Sequence, residues 1–143
     1  MKPDAQDILN RSADQLMGQL APALNGQYSQ GAAAVMALLM KFCAREYERG
    51  ADIRVVENAD MRALFAAFAP RVGDAALRKG MEDAAATRDT SLAISALNAA
   101  NCDLRRILIA LQIWSEDEGM ADVQERIWSV LKAMADRRVV SLF

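Results

Sequence analysis

The sequence contains no histidine. That absence removes the commonest general base, the usual nucleophilic triads and most zinc or haem sites. Glycine is sparse and dispersed, at Gly18, Gly26, Gly31, Gly50, Gly73, Gly80 and Gly119, so neither Gly-x-Gly-x-x-Gly nor Gly-x4-Gly-Lys-Ser/Thr occurs. No phosphate-cradling loop of those kinds is offered. The two cysteines, Cys43 and Cys102, stand far apart without Cys-x-x-Cys spacing, which reads as two reduced thiols and not as a disulfide or redox pair. No metal and no cofactor is expected.

An excess of charge of one sign is also missing. Seventeen basic and nineteen acidic residues leave a net charge of −2. The arginine and lysine pairs Arg45/Arg49, Arg78/Lys79, Arg105/Arg106 and Arg137/Arg138 are scattered among acids. A nucleic-acid binder needs a basic stripe with stacking aromatics, so no nucleic-acid partner is expected. Long apolar runs are lacking as well: the most hydrophobic, Ala32 to Phe42, is broken by Lys41 and falls well short of the roughly 20 residues that span a bilayer. The opening Met1-Lys2-Pro3-Asp4 carries an acid and no apolar stretch, against a secretory signal. The expectation is a cytoplasmic protein without a membrane partner.

What is present favours helix. Alanine, leucine and arginine, all good helix formers, are the most frequent residues, and β-branched residues cluster only in Asp52-Ile53-Arg54-Val55-Val56. With 143 residues and no Ser/Gly-rich linker, the chain reads as a single helical domain, 1–143. Punctuation predicts an all-α bundle of five to six helices. The first runs from Pro3 to about Leu20, before Pro22 and Gly26. The second is capped by Ser29 and ends near Gly50. It is apolar around most of its circumference, which places it at the centre of the bundle. A third covers Asn58 to Phe68 before Pro70 and Gly73, and a fourth is capped by Asp74. The fifth runs from Thr90 or Ser91 to about Trp114, and the sixth from about Ala121 to Arg138.

Eleven residues recur at an offset of 43: Asn58-Ala-Asp-Met-Arg-Ala-Leu-Phe-Ala-Ala-Phe68 against Asn101-Cys-Asp-Leu-Arg-Arg-Ile-Leu-Ile-Ala-Leu111. Asn, Asp, Arg and one Ala are identical, and Met61/Leu104, Leu64/Ile107, Phe65/Leu108 and Phe68/Leu111 exchange large apolar residues. Eleven positions are too few to separate an internally duplicated helix unit from the spacing that any two amphipathic helices share. Ile94, Leu97, Asn101, Leu104, Leu108 and Leu111 alternate by three and four, a heptad seam with an amide in it. Asn58, Met61, Phe65 and Phe68 hold the same register. Two amides facing each other across the seam would satisfy one another and fix helix register, although Asn58 can equally serve as a helix cap. Arg62 and Arg105 read as solvated charges at the rim of the seam.

Glu57-x-x-Asp60, Glu82-Asp83 and Asp122-x-x-Glu125 are the only raw material for a carboxylate magnesium site, and their faces read as solvent-exposed. Leu97-Asn98-x-x-Asn101 with the following Leu104 resembles part of the last long helix of the flagellar export chaperones. The resemblance covers less than a quarter of the chain, and the first helix lacks the leucine-and-glutamate pattern of that family. It implies a protein that holds another subunit.

These readings lead to a non-catalytic protein–protein interaction or assembly module. Its partner is an unidentified protein, with a second copy of the chain among the candidates. The alternatives are a small-ligand-binding helical regulator and an export-chaperone-like subunit binder. The candidate contact residues are Trp114 and Trp128, large rings near helix ends, and the apolar tail residues Val139, Val140, Leu142 and Phe143.

Overall fold

The computed structural model describes residues 4–139, and every regular element among them is helical. The tail residues Val140, Leu142 and Phe143 lie outside the described residues. The chain divides into two compact units, Met1–Ala51 and Asp52–Phe143. The division falls inside a helix, so no shift of composition marks it.

In the first unit, helix α1 (Ala5–Gln15) starts at Asp4, whose carboxylate accepts from the Gln6 amide. It widens into a π-helical turn, Leu16–Leu20, and continues as the short α2, Ala21–Ala23. Pro22 explains the widening. It has no N–H to give to the carbonyl one turn back and its ring crowds that turn, and a wider turn relieves both. Gly26, at φ +93°, reverses the chain with a backbone conformation that favours glycine. Helix α3 then runs from Gln27 to Phe68. Lys41 Nζ lies 2.7 Å from Asp14 Oδ1, and Gln30 Nε2 donates to the Leu24 carbonyl, which together define an antiparallel hairpin.

Helix α3 passes through Gly50, where the sequence places a stop, and carries the β-branched segment 52–56 within it. Propensity penalties of a few tenths of a kcal/mol per residue are outweighed because Ile53, Glu57 and Asn58 are buried by the turn they belong to. Its N-terminal half is also not enclosed: Tyr28, Val35, Met36, Leu38, Leu39 and Tyr47 are all exposed.

The second unit holds the apolar core. From α3 it takes Met61, Leu64 and Phe65. Helix α4 (Ala75–Ala85) adds Met81 and Ala84, α5 (Ile94–Asp117) adds Leu104, Leu108 and Leu111, and α6 (Ala121–Arg138) adds Val123, Ile127, Val130 and Met134. A single 3-10 turn, Ala69–Arg71, carries Pro70 and buries Ala69, with Val72 buried just after it. The Asp74 carboxylate caps α4 by accepting from the amides of Ala76 and Leu77. Gly119, at φ +64°, closes α5, and the Met120 amide donates to the Ser115 carbonyl at 2.8 Å.

Candidate protein interface

The heptad seam of α5 is buried at Leu97, Asn101, Leu104, Leu108 and Leu111, while Ile94 at its start is partly exposed. Asn101 Nδ2 donates to Asn58 Oδ1 at 2.9 Å, and both residues are buried. Asn58 therefore sits mid-helix and is no cap. The structure brings the two amides together and surrounds them with more charge than the seam pattern announces.

Glu57 is wholly buried, which overturns the reading of the Glu57-x-x-Asp60 pair as solvated. Arg138 Nε and Nη2 grip its two oxygens at 2.6 and 2.7 Å, Arg105 Nη2 stands 3.6 Å away, and Asn101 Nδ2 donates to it at 3.3 Å. Burial alone would raise the Glu57 pKa. The hydrogen bonds and charge of Arg138, the charge of Arg105 and the Asn101 bond outweigh it and hold the carboxyl below its ordinary value. Arg137 pairs with Asp60 at 2.6 Å, so the end of α6 is tied to α3 by two consecutive arginines.

On the other side of the amides, Asn58 Nδ2 donates to Asp89 Oδ1 at 3.1 Å, and Arg62 Nη2 reaches the same oxygen at 2.7 Å. The Arg62 and Asp89 side chains are only 12% and 11% exposed, so Arg62 is not the rim charge its position suggests. Arg105 keeps a half-exposed head and gives Nε to Asn101 Oδ1 at 2.7 Å. Arg54 Nε donates to Asn98 Oδ1. The side-chain pairs Arg54/Asn98, Glu57/Asn101 and Asn58/Asn101 keep an offset of 43 or 44, so the two helices run parallel here.

Apart from Arg137 Nη1, which is buried without a hydrogen-bond partner, this lattice is internally paired. Among the described residues no three His, Cys, Asp or Glu side chains gather to hold a metal ion. Glu82, Asp83, Asp122 and Glu125 are exposed, and Asp122 is taken up by Arg71, which holds its carboxyl below the ordinary range. A surface cleft of about 360 Å³ lies beside the lattice, lined by Arg62, Asp83, Thr87, Arg88, Asp103 and Leu104 with both signs of charge mixed.

Of the sequence-predicted contact residues, Trp114, Trp128 and Val139 are described. Trp114 is half-buried against the core, whereas Trp128 is 64% exposed and Val139 is exposed at the end of α6. Most of the exposed large apolar side chains belong to the first unit, where apart from Gly50 every buried described residue is an alanine: Ala13, Ala21, Ala33, Ala37 and Ala44. On α3 the alanines Ala33, Ala37 and Ala44 share one face. On the opposite face Tyr28, Ala32, Val35, Leu39 and Phe42 follow at spacings of four and three, which is the a/d repeat of a helix seam. Tyr28, Val35 and Leu39 are 90%, 57% and 54% exposed, and Met36 and Leu38 widen the strip on either side. Ile8, Met17, Leu20 and Leu24 are exposed on the partner arm of the hairpin. A pattern apolar on all sides reads from sequence as a central helix; only the burial of small residues in place of large ones distinguishes it from an open one.

No helix among the described residues is long and apolar enough to cross a membrane. No protein-family model, curated protein or solved structure matches the chain.

Proposed function

We propose that the chain is a non-catalytic assembly module that binds protein through the outer face of the 27–51 half of α3. The observation that carries this reading is the inversion of burial in the first unit. Alanines are packed while tyrosine, valine and leucine side chains of a seam, and the methionine beside it, stand in solvent. Monomeric proteins rarely leave contiguous apolar patches of more than a few hundred Å² uncovered, and larger ones mark contact surfaces. The second unit supplies the opposite quality, a dense core with its buried amides and carboxylate fully partnered, which suits a body that is held in place and presented.

The test uses the full chain at its native level in cell extract, sized by gel filtration and detected by antibody. The wild type elutes well above single-chain size, and Val35→Asp with Leu39→Asp shifts it to single-chain size. Elution of both proteins as single chains overturns the reading. Unchanged urea unfolding of the 52–143 core in the variant, followed through Trp114 and Trp128, shows that the substitutions act on contact and not on folding.

A further inference from the structure

We infer that the partner on this face is a second copy of the chain, with the two α3 seams antiparallel and mirrored about Ala37. The inference rests on the assembly reading above and names its occupant.

Three observations select a second copy. First, a symmetric pair needs a patch complementary to itself. Mirroring about position 37 sets Val35 against Leu39, the small Ala32 against the large Phe42, and the Tyr28 hydroxyl beside the Glu46 carboxylate, with each pairing occurring twice. A parallel pairing would instead stack Glu46 on Glu46 and Arg49 on Arg49, like charges at seam positions. Second, two-stranded coiled coils carry charges beside the seam, but here Met36 and Cys43 flank it on one side and Gly31 and Leu38 on the other, with Arg45 the first charge beside it. So wide an apolar face fits a layer of more than two helices. Two hairpins provide it, bringing the exposed Met17, Leu20 and Leu24 of each first arm to the edges of a four-helix arrangement. Third, ten large apolar side chains of one hairpin are each more than a third exposed, which leaves a surface on the scale of the roughly 800 Å² per partner that a stable interface buries.

The hairpin gains from this pairing what it lacks alone. With only alanine and glycine buried, it has little apolar transfer energy to hold it. Doubling it places valine, leucine, methionine and phenylalanine side chains in a common core.

The experiment uses the purified full chain with Cys43→Ser and Cys102→Ser, so that introduced thiols are the only ones. Ala32→Cys and Phe42→Cys chains are co-expressed and mildly oxidised, and sedimentation equilibrium measures the mass of the cysteine-free parent. The expected result is a dimer mass and a disulfide joining an Ala32→Cys chain to a Phe42→Cys chain. Neither variant should cross-link to itself, because mirrored copies of position 32 are about 15 Å apart along the axis. A disulfide between two Ala32→Cys chains overturns the antiparallel register. A monomer overturns self-pairing; if the wild type in extract is nevertheless large, the assembly reading stands with a different protein on the face, and if it is small both fall.

Discussion

Arg138, the last residue of α6, closes a two-pronged grip on the fully buried Glu57 of α3, with 2.6 and 2.7 Å contacts between positions 81 residues apart. The arginine remains partly in water while the carboxylate does not, so the pair reaches from solvent into the core. A planar guanidinium can offer two parallel N–H bonds to one carboxylate, a geometry that lysine cannot reproduce.

Replacing Glu57 with glutamine keeps the shape and removes the charge. Arg138 and Arg105 are both close to half exposed and can rehydrate, which limits the loss to about 1–3 kcal/mol. Urea unfolding at neutral pH reads it. A change below a few tenths of a kcal/mol would show the grip to be incidental.

Acid should act through the same groups. The folded-state pKa values of Glu57 and Asp89 lie below their ordinary values of 4.5 and 3.8, so the unfolded chain takes up protons first as pH falls. Their contribution is therefore complete above the ordinary carboxylate range and disappears as pH drops through the lowered values. The urea midpoint of the wild type falls steeply below about pH 4.5 and that of Glu57→Gln falls less steeply. Parallel pH profiles would contradict this assignment.

Asn101→Leu tests whether the amide lattice is a unit. Asn101 uses both N–H groups, toward Asn58 and Glu57, and its oxygen accepts from Arg105. Leucine fits the seam pattern but strips a partner from three groups, and a loss of about 1–3 kcal/mol follows. A gain in stability would mean that the amide serves register alone.

Arg62 ties the 86–93 connection to α3 through Asp89 and through Nε to Thr87 Oγ1 at 3.0 Å. In Arg62→Ala, backbone amides between Ala86 and Ala93 exchange hydrogen about tenfold faster, while amides of Leu104 to Leu111 keep nearly their wild-type protection. Uniform acceleration across α5 would instead show that the connection and the core open together.

Much of the second unit was legible because its signals are local. Asp74 announces a cap, Gly119 a stop, and the three-four alternation from Leu97 to Leu111 a buried stripe. The Asn58/Asn101 contact could also be reached, since an amide within an apolar stripe demands a partner. Glu57 could not, because its burial depends on arginines 48 and 81 positions away, and a carboxylate on a helix otherwise reads as solvated. Gly50 misled in the other direction, since a glycine ends a helix only when its backbone turns left-handed, which depends on what packs around it. The open face of α3 escaped for a related reason: hydropathy records which side chains are apolar, not whether anything covers them.

Cys43 flanks that face and Cys102 lies on α5; both are exposed in the isolated chain, so each cell carries its own control. The central claim is tested most directly by comparing their alkylation rates with a permeant maleimide in intact host cells. Assembly through the α3 face predicts that Cys43 reacts markedly more slowly than Cys102 in the wild type, and that Leu39→Asp brings the two rates together. Equal rates in wild type and variant alike would contradict it.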